Sequence, residues 1–292
     1  MTRLLRFLLL LGAIGTLVAA VLGDRKPFDS LEARRGIPET FRSQAPPERF
    51  SGGPLLPPPT GRESIGMIDV DARKGNTQGS AASIDERGIW LTARHVVEGC
   101  EVVVVQDPRE RWVRTRVAGL HPQSDLAILT TRGGTPAYPF SDETLRIGET
   151  AYGVGYPKDV PSTVEGSLLG RGRLGFRGRM IGEASVTVWV EKQRWPENEN
   201  PLSGISGGPL FDRQGRIIGV VIAATVRRGR FFAASPENVQ DMLAQLPDTD
   251  RPRRASPLGV AIGGEKARDF GTWSLTERMV TRVGCVAPKV TS

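Results

Sequence analysis

The sequence predicts an all-β chain, and three observations carry that reading. Short runs rich in β-branched residues recur, among them Glu101-Val102-Val103-Val104-Val105, Ala184-Ser185-Val186-Thr187-Val188-Trp189-Val190 and Arg216-Ile217-Ile218-Gly219-Val220-Val221-Ile222. Such residues pack well on a pleated surface. Turn formers are plentiful, with 35 glycines and 22 prolines in 292 residues, as many short strands require. There is no internal repeat and no helical heptad run, which sets aside solenoids and coiled coils.

Taken in order, the chain opens with Arg3 and Arg6 ahead of a 16-residue uncharged stretch from Phe7 to Leu22. Small residues Ala19, Ala20 and Gly23 follow. Residues 1–23 therefore read as an export signal, with a signal anchor over residues 4–22 as the alternative. Residues 24–62 are rich in Pro, Arg and Gly and include Pro57-Pro58-Pro59. They carry little apolar surface to bury and are expected to form a linker or a loosely attached arm. Asp212-Arg213-Gln214-Gly215 reads as a hairpin turn. Ser235 to Leu246 reads as a helix: Ser235 is an N-cap, Pro236 suits the first turn, and Glu237 suits the positive helix end. Val239, Met242, Leu243 and Leu246 then fall on one face. Residues 247–292 are expected to form a C-terminal extension.

The motif that carries chemistry is Gly204-Ile205-Ser206-Gly207-Gly208-Pro209-Leu210. A serine hydroxyl is a poor nucleophile until a base takes its proton. It also needs donors aimed at the oxyanion, and glycines let the backbone turn tightly enough to supply them. Read alone, the segment has a Gly-rich turn before a strand as its alternative. The chain has two histidines. His121 lies in Leu120-His121-Pro122-Gln123-Ser124 and is expected at a surface turn, because the residue before proline is pushed out of the helical region. His95 lies in Trp90-Leu91-Thr92-Ala93-Arg94-His95-Val96-Val97, at an apolar strand end followed by a short helical turn. Asp125 opens Ser124-Asp125-Leu126-Ala127-Ile128-Leu129 and enters an apolar strand. A carboxylate there would accept the ring N–H of His95 and fix its tautomer.

His95, Asp125 and Ser206, in that order and in those contexts, make the chain resemble the trypsin-like (chymotrypsin-fold) serine peptidases. The bacterial HtrA/Deg branch is the nearest likeness. Gly153-Val154-Gly155-Tyr156-Pro157 resembles the strand and turn that open the second barrel in that branch. The resemblance covers residues 63–246. It implies two six-stranded antiparallel β-barrels with a C-terminal helix, a catalytic triad of His95, Asp125 and Ser206, and an oxyanion hole from the amides of Gly204 and Ser206. By family position Asn200 lies at the base of the substrate pocket and Ile222, Ala223 and Ala224 along its wall. No acid occupies the place that selects Lys or Arg, so small or medium apolar side chains are expected. The chain departs from the family at Arg94, where alanine is common and where the side chain is expected to point to solvent, and at Ile205. Residues 247–292 are too few for the PDZ domain of HtrA proteins, so a monomer is expected. The α/β-hydrolase order, with histidine after serine, is excluded because both histidines precede Ser206.

Cys100 and Cys285 are the only cysteines. An even pair in an exported chain is expected to form a disulfide that pins the tail to the first barrel, two free or buried thiols being the alternative. Net charge is +7. The basic clusters Arg171, Arg173, Arg177, Arg179 and Arg227, Arg228, Arg230 lack interleaved aromatics and sit on no recognisable helix. They read as solvated faces and not as a nucleic-acid site. No zinc spacing and no phosphate-binding glycine loop occur, so no cofactor or metal is expected. The expected partners are protein or peptide substrates. The expected function is an exported serine endopeptidase, periplasmic or secreted. A silent or latent binding protein of the cell envelope on the same fold is the alternative.

Overall fold

The computed structural model describes residues 28, 37–42, 50–70, 76–178, 182–225 and 229–288. The export segment 1–23 and Arg179, Arg227 and Arg228 of the basic clusters lie outside them. The strands in chain order are β1 (Ile65–Val70), β2 (Thr77–Asp85), β3 (Ile89–Thr92), β4 (Val102–Gln106), β5 (Trp112–Leu120), β6 (Ala127–Thr130), β7 (Thr150–Gly155), β8 (Ser162–Gly178), β9 (Gly182–Trp195), β10 (Pro209–Phe211), β11 (Ile217–Thr225), β12 (Arg230–Ala234) and β13 (Val280–Val286). Among the described residues three α-helices accompany them: α1 (Arg94–Val97), α2 (Pro236–Ala244) and α3 (Glu265–Thr276).

The β-rich runs fold as their periodicity demands. Val102 to Gln106 are all buried as β4, and Ile89 to Thr92 are all buried as β3. Six strands in the order β13-β2-β3-β6-β5-β4 close the first barrel. The second sheet runs β1-β8-β7-β10-β11-β12-β9, and an additional pairing of β8 with β9 joins its ends into a second six-stranded ring. The seventh strand, β1, adds to β8 in parallel, from Ile65 opposite Arg173 to Val70 opposite Gly178. That one parallel pairing departs from the antiparallel expectation. The Ser235 helix forms as α2, with the Asn238 amide donating to the Ser235 hydroxyl at 3.5 Å. Among the described residues no helix is long and apolar enough to cross a membrane.

Two expectations about the ends of the chain are corrected. Residues 247–288 are not merely an extension, because β13 pairs with β2 on one side and β4 on the other and so completes the first barrel. Val280, Val283 and Cys285 are buried. A strand of that composition buries more surface in a barrel than it would as a tail. Nor are the described residues of the arm all loosely attached: Phe28, Phe41 and Leu56 are buried. Phe28 meets Trp90 at 5.1 Å between ring centroids. Phe41 meets Phe270 of α3 edge-on at 6.0 Å. The Leu56 amide donates to the Leu145 carbonyl at 2.8 Å.

A disulfide joins Cys100 to Cys285. It ties the chain just after α1, which bears His95, to the closing strand β13. The sequence expectation of a pairing that pins the tail to the first barrel agrees with this geometry.

Candidate active site

The site lies where segments of both barrels meet. Strand β3 ends at Thr92, and the chain turns into α1, which carries His95 at its second position. Asp125 enters β6 fully buried. One carboxylate oxygen accepts the backbone amide of His95 at 2.7 Å, and the other meets His95 Nδ1 at 2.6 Å. An ionised carboxylate can only accept hydrogen bonds, so Nδ1 carries the proton and Nε2 is the basic nitrogen. Asp125 thus fixes both the ring's tautomer and its backbone.

The Ser206 loop comes from the second barrel and is docked on the first. The Ser206 carbonyl accepts from the Ser80 amide of β2 at 2.8 Å. Gly207 follows at φ 88°, and a Cβ there would stand 2.0 Å from the Ser80 carbonyl oxygen and 2.3 Å from Thr92 Oγ1. Only glycine fits so close an approach with positive φ. Ser80 also holds the other end of the loop: its hydroxyl donates to the Gly204 carbonyl at 2.9 Å and accepts from the Tyr156 amide at 3.0 Å. Gly204 has φ 103°. Among the described residues, the amides of Gly204 and Ser206 are not spent on backbone acceptors. The Ser206 hydroxyl donates to the Ile222 carbonyl at 3.3 Å.

His95 and Ser206 line one cleft of about 370 Å³ together with Asn200, Ile222, Ala223 and Ala224. All four residues expected at the pocket therefore reach it. The same cleft is also lined by Glu191, Arg194 and Glu199, which the sequence reading missed. Glu191 and Arg194 are three residues apart near the end of β9, an ordinary exposed spacing until the 196–200 loop folds over them. Ser80 was missed as well; in the sequence it is a serine after Gly79 within β2, with nothing local to mark it.

Two side chains behave differently from expectation. Arg94 does not reach for solvent: its guanidinium donates to the His121 carbonyl at 2.9 Å and to Glu98 at 2.6 Å. His121 is buried and not at the surface. Its Nε2 meets Asp241 of α2 at 2.9 Å, and its Nδ1 accepts from the Gln123 amide at 3.1 Å. The turn forms as its proline dictates, but α2, distant in sequence, covers it. From the same helix, Asn238 donates to the Ser124 hydroxyl at 3.0 Å, bracing the residue before Asp125. Among the described residues no group of three or more His, Cys, Asp or Glu is placed to hold a metal ion.

A family model described as a trypsin-like peptidase domain matches residues 79–220, a span that contains His95, Asp125 and Ser206. Over that span, just under half of its length, the chain is similar to the trypsin-like peptidases. A protein of Hahella chejuensis described as "Probable periplasmic serine endoprotease DegP-like" is 27% identical over 65% of this chain and 39% of its own length. One of Pseudomonas savastanoi pv. phaseolicola with the same description is 26% identical over 92% of this chain and 59% of its own. The chain thus spans less than two thirds of the length of each of these relatives, which are of the branch the sequence motifs resemble. A solved structure of a serine-to-alanine mutant of Rv3671c from M. tuberculosis H37Rv, in its inactive form, is 23% identical, with TM-score 0.47, over 59% of this chain and 84% of that chain.

Proposed function

We propose that this protein is an exported serine endopeptidase that cleaves protein or peptide substrates through an acyl-enzyme. The observation that carries the reading is the two-point hold of Asp125 on His95, with Ser206 on the same cleft. In this mechanism Ser206 Oγ attacks the scissile carbonyl carbon as its proton passes to His95 Nε2. The carbonyl oxygen becomes an oxyanion, held by the Gly204 and Ser206 amides. Asp125 stabilises the imidazolium that forms. Collapse of the tetrahedral intermediate breaks the C–N bond, and His95 delivers its proton to the departing amine. Water, deprotonated by His95, then hydrolyses the ester and restores Ser206. Attack requires the hydroxyl to leave the Ile222 carbonyl, a bond long enough to exchange on substrate binding. Export is supported by the basic-then-apolar stretch at residues 1–23 and by the periplasmic description of the relatives.

A second reading, a catalytically silent or latent binding protein of the cell envelope, is favoured by that same hydroxyl, which in this structure is directed to a carbonyl. Hydrolysis of an unfolded protein substrate separates the two. The wild type cleaves it, and Ser206→Ala, with an unchanged circular dichroism spectrum, loses about 10⁴-fold or more in rate. Equal turnover by Ser206→Ala overturns the assignment of the nucleophile.

A further inference from the structure

The cleft beside Ser206 holds an acid that is already occupied by the protein's own arginine. Arg194 Nε meets one Glu191 carboxylate oxygen at 2.5 Å, and its Nη2 meets the other at 2.7 Å. The pair is largely shielded, with side-chain exposures of 13% and 16%. The remaining arm of the fork is also engaged: Nη1 donates to the Asn200 carbonyl at 2.5 Å. That carbonyl is fixed in turn, because the Asn200 amide donates to Asn198 Oδ1 at 3.0 Å and Asn198 Nδ2 donates to the Pro196 carbonyl at 2.7 Å. The Glu191 amide donates to the Gly229 carbonyl at 2.7 Å, which anchors the acid from the other side. A bidentate guanidinium–carboxylate pair held this way is geometrically specific, and lysine cannot reproduce it.

We propose that Arg194 is a specificity-determining residue that masks Glu191, so that the cleft accepts uncharged apolar side chains and excludes lysine and arginine; this rests on the peptidase reading above. An incoming cation finds both Glu191 oxygens taken and meets the guanidinium instead. An incoming carboxylate finds Arg194 already neutralised by Glu191. An uncharged chain disturbs neither and lies against Ile222, Ala223 and Ala224. Glu199 also lines the cleft, but it is exposed, where water and salt screen its charge. The acid inside the recess is Glu191, and the selection is negative, built from occupied charges.

The test unmasks each charge in turn, at pH 8 to keep the carboxylates ionised. Peptides differing only in the residue before the scissile bond (Ala, Val, Leu, Lys, Arg, Asp, Glu) are compared by kcat/KM. The wild type prefers the apolar members. Arg194→Met raises the Lys and Arg values relative to Ala at least tenfold, and the double variant Glu191→Gln/Arg194→Met cancels the gain. Glu191→Gln, which leaves Arg194 unmasked, raises the Asp and Glu values at least tenfold. Benzamidine gives a readout that needs no turnover: its Kd falls at least tenfold in Arg194→Met and returns in the double variant. A wild type that already prefers Lys or Arg, or ratios and benzamidine affinity unchanged in both single variants, overturns the proposal. A folded wild type that cleaves nothing strikes the peptidase reading, and the benzamidine comparison then still decides the role of Arg194.

Discussion

Removing the Cys100–Cys285 bridge tests whether the C-terminal strand is a working part of the first barrel. The cysteines are 185 residues apart in sequence, so in the unfolded chain the bridge closes a loop that contains β4 to β12. For a loop of that length the chain-entropy model gives a stabilisation of about 5 kcal/mol. In the folded protein the bridge costs little reach, because β13 already lies between β2 and β4. Most of the entropic gain is therefore expected to appear as stability. The double variant Cys100→Ser/Cys285→Ser should lose between about 2 and 5 kcal/mol against the oxidised wild type in guanidinium unfolding. It should keep its fold, since the ten β13 pairings with β2 and β4 remain. A loss under about 1 kcal/mol would refute the reasoning, for it would mean that the bridge constrains nothing the unfolded chain could otherwise explore.

Three further outcomes follow from the same structure. Gly207→Ala places a Cβ 2.0 Å from the Ser80 carbonyl oxygen; it should cost about 2 kcal/mol or more and displace Ser206, so wild-type stability by urea melt would contradict the loop geometry. Phe270→Ala empties a fully buried position that touches Phe41, Tyr138, Phe211 and Trp273, and should cost about 3–5 kcal/mol; a loss under about 1 kcal/mol would show that α3 and the arm are not part of the core. Burial raises the Asp85 pKa, but bonds from the Arg87 side chain and the Arg253 and Arg87 amides outweigh it, and the net shift is downward. Its stabilisation is therefore complete above the ordinary carboxylate value near ~3.9 and is lost as pH falls through the lower folded value. The stability gap between wild type and Asp85→Asn should stay constant from neutral to mildly acidic pH and close only below that; a gap that widens on acidification would reverse the sign.

The candidate site was legible in the sequence because each of its motifs is local. A serine between glycines, a histidine after a buried strand and an aspartate before another each announce a backbone shape that nearby residues enforce. Gly207 can be read as a close approach before the Ser80 carbonyl is known. What resisted reading depends on partners distant in sequence. His121 has the chemistry of a surface turn, and only the arrival of Asp241 on α2 buries it. Val280 to Val286 carry an ordinary strand pattern, but nothing local says that β2 and β4 leave a gap for them. Phe28, Phe41 and Leu56 lie in a polar, proline-rich stretch, and averaging over such a stretch hides anchors. Glu191 and Arg194 look like surface charges because their spacing carries no mark of the loop that covers them.

The central claim is that His95, Asp125 and Ser206 form an assembled, activated site. Covalent labelling with a fluorophosphonate probe tests it most directly, because the probe reacts only where a base activates the serine and donors hold the oxyanion. The account predicts labelling of the wild type and none of Ser206→Ala or His95→Ala, all three being folded. Absence of labelling in a folded wild type, or equal labelling of Ser206→Ala, would contradict it.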